Sequence, residues 1–202
     1  AGHGIASHDI EWELSTLDHD ELPRLAKGEV HLWIMNLEQP TDSEGASNLG
    51  KHEKVYLSWL SSREAKKYTR LPVNQKSHYL RGRIALRKLL GVYLGKNPQD
   101  IGLAFGEFGK PALIDCGDGP WFNYSDTQGK VIYAVGDSGE LGIDIEHISR
   151  QPDYQRILQR KFSPAEAEEV AGSAENVSSQ IICQRFLAAW TRKESYGKAI
   201  GV

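Results

Sequence analysis

After an opening stretch without period, "AGHGIASHDIEWELST" (1–16), apolar residues alternate over "VHLWIMNLEQ" (30–39), which predicts a strand. "TDSEGASNLG" (41–50) is a loop by composition. "SREAKKYTRL" (62–71) reads as a helix capped by Ser61 or Ser62. Beyond Pro72, "NQKSHYLRGRIALRKLLGVYLG" (74–95) predicts a long amphipathic helix. Leu80, Ile84, Leu86, Leu89 and Leu90 form its apolar face, and Arg81, Arg83, Arg87 and Lys88 lie off it.

The centre changes period. "IGLAFGEFGKPALI" (101–114), "WFNYSDTQGKVIYAVG" (121–136) and "LGIDIEHI" (141–148) are short β-prone runs divided by Gly, Pro and Asp. "DTQGK" and "GDSGE" suit hairpin connections. Helical pattern returns at "SPAEAEEVAG" (163–172), where Ser163, Pro164 and Glu166 make a capping box. A last helix spans about residues 179–200. Each half thus shows a helix, short strands and a glycine-terminated basic helix. The pattern predicts an α+β protein of two subdomains dividing near 110–120.

Composition narrows the class. Of the 202 residues 40% are hydrophobic, enough for a proper core, and the net charge is −3. No apolar run of membrane-spanning length and no signal-peptide pattern is present. Cys116 and Cys183 make neither a disulfide framework nor a CxxC pair, so two reduced thiols in a cytoplasmic protein are expected. His31, His52, His78 and His147 lack metal-ligand spacing, and Trp33 and Trp121 read as packing residues. Charge is unevenly spread, however. Residues 1–50 carry ten acids and two bases, whereas residues 51–96 carry twelve bases and only Glu53 and Glu64 as acids. A segment so positive calls for an anionic partner.

Within the predicted 141–148 strand, residues two apart point the same way, so Asp144 and Glu146 share one face and Ile143 and Ile145 the other. Alone, that is the pattern of an edge strand with a wet face. The last helix adds to it. Steps of four from Ile182 reach Phe186, Trp190, Glu194 and Lys198, so an apolar stripe ends in a carboxylate and an amine one turn apart. An exposed i,i+4 salt bridge is the simplest account. If instead the Trp190 face packs on the 141–148 strand, Asp144, Glu146 and Glu194 converge. Three oxygen ligands with lysines nearby suit Mg2+ bound together with a substrate's phosphates.

"GIDIE", followed at Trp190 by "WTRKESYGKAIG", resembles the paired signature of the 4'-phosphopantetheinyl transferases. The arginine-rich "GRIALRKLLG", then "FGKPAL" and "FNYS", in that order, are similar to the larger, Sfp-type branch. The resemblance runs from about residue 30 to the end. It implies a pseudo-two-fold pair of similar α/β subdomains, with the active site in the cleft between them. The expected organisation is an N-terminal extension at 1–29, partly foreign to the natural chain, then subdomains at 30–115 and 116–202. It also implies transfer of 4'-phosphopantetheine from coenzyme A to a serine of an acyl, peptidyl or aryl carrier domain, releasing adenosine 3',5'-bisphosphate. Carried over, Asp144, Glu146 and Glu194 hold Mg2+, with Glu194 and Lys198 as the catalytic pair. Lys67, Lys110, Ser125, Asp126, Lys193 and Lys198 line the coenzyme A site. A cytoplasmic monomer is expected, with no nucleic-acid or membrane partner.

Two departures stand out. Asp126 occupies the place where the family usually has a histidine that helps bind the 3'-phosphate. The family also generally continues past "KAIG" with further strands, so a tail is expected beyond Val202. The alternatives are an inactive coenzyme A-binding relative and a nucleic-acid module built on the basic segment. The second conflicts with carboxylates standing where phosphate would bind.

Overall fold

The period-two alternation of "VHLWIMN" becomes a strand whose His31, Trp33 and Met35 turn to the core, and a long helix from Val73 covers it. The computed structural model describes residues 5–9, 24–37, 52–115, 117, 119–137, 139–150, 152–172 and 178–201. In chain order these form β1 (Ile5–Asp9), β2 (Val30–Asn36), α1 (52–58), α2 (Ser62–Arg70) and α3 (Val73–Leu94). A 3₁₀ turn (Pro98–Asp100), β3 (Leu103–Phe105), β4 (Pro111–Leu113), β5 (Trp121–Thr127) and β6 (Lys130–Gly136) follow, then α4 (Tyr154–Lys161), α5 (Pro164–Ala171) and α6 (Ser179–Ile200).

The main sheet runs β1-β2-β6-β5, with β1 parallel to β2 and the other pairs antiparallel. β5 and β6 form the hairpin expected at "DTQGK". Gln128 and Gly129 both take positive φ, 34° and 78°, as a two-residue turn between right-twisted strands requires. β3 and β4 form a separate antiparallel pair around "FGEFGKP". The strand β1, α1 and α4 went unanticipated in the sequence; each is short and carries little periodicity of its own.

Three predictions need correction. The first concerns α3, whose arginines do not lie off its buried face. Arg81 and Arg83 are each 7% exposed and Arg87 is 1% exposed, so the helix is enclosed nearly all round from Leu80 to Gly91. Each long stem adds apolar surface, and the heads of Arg87 and Arg83 find partners inside the protein. Arg87 grips Glu64 of α2 through both carboxylate oxygens, at 3.2 and 2.6 Å. The Arg83 guanidinium lies over the rings of Tyr124 (4.1 Å) and Tyr79 (4.9 Å). The second concerns residues 141–147, which form no strand ladder and run as irregular chain. The third concerns Trp121, which read as packing and is 44% exposed.

Two apolar clusters result. One joins β2, β5 and β6 to α3, with Trp33, Leu86, Leu89, Phe122, Tyr133 and Val135 at its centre. The other joins α4, α5 and α6 through Tyr154, Phe162, Phe186 and Trp190.

Candidate active site

The irregular segment 141–147 lies between the edge strand β5 and the end of α6, and side chains from both hold it at Ile143. Asn123 Oδ1 of β5 accepts from the Ile143 N–H at 3.2 Å, and Lys198 Nζ of α6 donates to the Ile143 carbonyl at 3.1 Å. At Ile143 both backbone groups thus have side-chain partners in place of a ladder. Gly142 permits the approach, because a Cβ there would run into the Ser195 carbonyl oxygen and the Ala199 backbone nitrogen.

Held this way, Asp144 meets two side chains from elsewhere in the sequence. Ser125 Oγ donates to Asp144 Oδ1 at 2.8 Å, and Lys198 Nζ donates to the same oxygen at 2.7 Å and to Ser125 Oγ at 3.0 Å. Asp144 is only 9% exposed and Ser125 8%. The second carboxylate oxygen, Oδ2, is buried without a hydrogen-bond partner. An orphaned anionic acceptor is costly unless something positive completes it, so its donor chemistry fits a hard cation.

The other expected ligands stand apart. Glu146 is 12% exposed and pairs with Arg150, four residues on. Glu194 makes no ion pair or hydrogen bond among the described residues, and no three His, Cys, Asp or Glu side chains there are gathered to hold a metal ion. The reason lies in the packing of α6. Its Phe186 and Trp190 pack on Tyr154 and Phe162 in the α4–α6 cluster, and it is the last turns that reach Gly142 and Asp144.

The remaining expected residues divide in the same manner. Lys193 Nζ donates to both oxygens of Glu166 (2.7 and 2.9 Å) and lies over the Phe162 ring. The hydrogen bonds from Lys193 and from the Ser163 backbone N–H hold the Glu166 carboxyl down to about 2. Lys110 Nζ donates to the Ala199 carbonyl at 2.8 Å, at the C-terminal end of α6. On β5, Ser125 and Asp126 take opposite faces. Ser125 joins Asp144, while Asp126 lines a cavity of about 430 Å³ with Lys67, His78, Arg83, Tyr124 and Lys130. Burial pushes the Tyr79 hydroxyl there up to about 12, against the opposing pull of Arg83. Asn123, Arg150 and Glu166 were missed as partners; "FNYS", the i,i+4 spacing from Glu146 and the capping box were the available signals.

Fold and site together define a mixed helix-and-sheet protein with a Ser–Asp–Lys cluster between a sheet edge and a helix end. The family profile described as the 4'-phosphopantetheinyl transferase superfamily matches residues 140–202, the stretch from just before Gly142 through α6. HetI, a 4'-phosphopantetheinyl transferase of Nostoc sp., is 32% identical over 193 residues, covering 92% of this chain and 76% of HetI. AcpT, a 4'-phosphopantetheinyl transferase of Salmonella typhi, is 32% identical over 127 residues, covering 63% of this chain and 60% of AcpT. The chain belongs to the 4'-phosphopantetheinyl transferase superfamily, a family of enzymes. Among the described residues no helix is long and apolar enough to cross a membrane.

Proposed function

We propose that the chain transfers 4'-phosphopantetheine from coenzyme A to a serine of an acyl, peptidyl or aryl carrier domain, releasing adenosine 3',5'-bisphosphate. The observation that carries this reading is the Ser125–Asp144–Lys198 cluster with its orphaned Asp144 oxygen, in a chain of this family. Asp144, Glu146 and Glu194 would hold Mg2+, which when bound offsets the charge of a pyrophosphate. Glu146 would exchange Arg150 for that role.

The remaining chemistry belongs to side chains. The carrier serine oxygen attacks the phosphorus bearing pantetheine, a new P–O bond forms, and the bond to the departing bisphosphate breaks. Glu194 takes the serine proton, directly or through a water. Lys198, one turn further along α6, stabilises the charge on the leaving oxygen. Lys67, Arg83 and Lys130 receive the nucleotide phosphates in the 430 Å³ cavity, where they outnumber the Asp126 carboxylate. Lys110 and Ser125 border the site; Lys193 is left out of the contact set because Glu166 holds it. The reading includes the cleft between pseudo-symmetric subdomains (30–115 and 116–202), a monomeric state and a cytoplasmic setting.

The test is to incubate the protein with Mg2+, coenzyme A and apo-carriers, then weigh the carriers by mass spectrometry. A gain of one phosphopantetheinyl group that chelation abolishes is expected. No gain on any of several carriers overturns the reading. A Glu194→Gln variant that retains full activity overturns the assignment of the base.

A further inference from the structure

We infer that Glu166 is a positioning residue for this site: it pins Lys193 and so sets the rotation of α6 that aims Lys198 at the 141–147 segment, with Glu194 one turn before it on the same stripe. The inference rests on the transferase reading for its catalytic consequence, but its geometry stands apart from it.

Glu166 sits at the third position of α5, where its carboxylate already accepts from the Ser163 backbone N–H at 2.7 Å as half of a capping box. The same carboxylate takes Lys193 with both oxygens, and Phe162 closes over the ammonium at 4.9 Å from its ring centre. A capping glutamate has little freedom to move, because leaving would uncap its own helix. Lys193 is therefore fixed to the start of α5. In an α-helix each residue turns about 100°, so Glu194 lies about 100° round from the pin and within about 40° of Lys198. A slip at Lys193 would swing Lys198 away from Asp144 and turn Glu194 with it.

The other half of the chain carries the same device. α2 also begins with a serine capping box, Ser61 and Glu64, and Glu64 likewise takes a cation from the following long helix, Arg87 of α3. α3 and α6 are both 22 residues long, and each ends in a left-handed glycine, Gly95 or Gly201. Arg87 and Lys193 each stand fifteenth in their helix, counting from Val73 and Ser179. In α2–α3 the contact joins two helices within the protein. That recurrence identifies the Glu166–Lys193 contact as a helix-setting pin, in contrast to a lysine waiting for phosphate.

The test uses Glu166→Gln, Lys193→Met, their double variant, and the charge swap Glu166→Lys with Lys193→Glu. Transfer kinetics, coenzyme A affinity by calorimetry and amide exchange across α6 are measured for each. Each single variant should lower kcat about tenfold or more, as for displaced catalytic groups, with KM for coenzyme A within about twofold. The double should be no worse than either single, and the swap should recover part of kcat. Exchange near residues 190–198 should quicken in the single variants and slow again in the swap. A Lys193→Met variant with raised KM and weakened coenzyme A binding at unchanged kcat makes the lysine a phosphate ligand and overturns the inference. Additive losses, or unchanged exchange in all variants, also overturn it. Failure of the wild-type protein to modify any carrier defeats the proposed function instead, and the exchange and calorimetry arms still decide the role of Glu166.

Discussion

Glu64–Arg87 and Glu166–Lys193 join a short helix to a long one by the same chemistry in opposite surroundings. Glu64 is 3% exposed and Arg87 1%, whereas Glu166 is 44% exposed and Lys193 37%. Arg87 stands against a sheet-backed core; Lys193 lies on the rim of an all-helical cluster, one residue before Glu194. Burial makes either member of the first pair costly to remove alone, since each leaves a charge behind if the other is removed. Exposure makes the second cheap in stability, so its value lies in where it sets the helix. One arrangement therefore serves the fold in one half and the site in the other.

The comparison breaks first at Arg87. Arg87→Met strands the Glu64 carboxylate, whose pKa burial alone would raise and which Arg87 and Ser61 together hold below the usual range. Urea unfolding should show a loss of about 3–5 kcal/mol, and adding Glu64→Met should recover most of it. A cost near that of a surface substitution would show that Arg87 is not dry. Lys193→Met should shift the same unfolding midpoint only slightly.

A smaller contrast comes from two glycines. A Cβ at Gly82 of α3 would meet Tyr133 and Leu37 at 3.8 and 3.9 Å, ordinary contact, so Gly82→Ala should be neutral or gain up to about 1 kcal/mol of helix propensity. At Gly142 the Cβ would enter the α6 backbone, and Gly142→Ala should cost about 1–3 kcal/mol by overpacking and sharply reduce transfer. Unfolding curves and the mass assay on both variants read this contrast directly. A fully active Gly142→Ala protein would disprove the close approach.

Much of the fold was legible because strong periodicity and caps are local signals. β2, α2, α3, α5, α6 and the β5–β6 turn follow from alternation, Ser61, Ser163, Gly95 and the Gln128–Gly129 pair. Legibility ended where a residue's surroundings come from distant chain. The arginines of α3 read as lying off its buried face because an isolated helix gives no sign of Glu64 and Tyr124 enclosing them. Residues 141–148 read as a strand because alternation cannot reveal that Asn123 and Lys198 take both backbone groups of Ile143. At the site, the motif pointed to Asp144 and Lys198, which meet. It could not show that Lys193 turns toward Glu166 and Glu146 toward Arg150, since neither partner belongs to it.

The subtlest difference between the pairs is their response to acid. Glu166, held at about 2, contributes stability that is present above the unfolded glutamate range and is lost as pH falls through its folded value. Wild-type and Glu166→Gln proteins should differ in Tm at neutral pH by a small, salt-sensitive amount, since the pair is exposed. That difference should narrow between about pH 4.5 and pH 2 as the wild-type carboxyl protonates and becomes, in charge, what glutamine already is. Glu64 obeys the same sign, but its partner is dry, so salt should leave its contribution largely unchanged. Melting curves in low and high salt across that range separate the two. A Glu166→Gln difference indifferent to both salt and pH would mean that the pin acts through packing on Phe162 and not through charge.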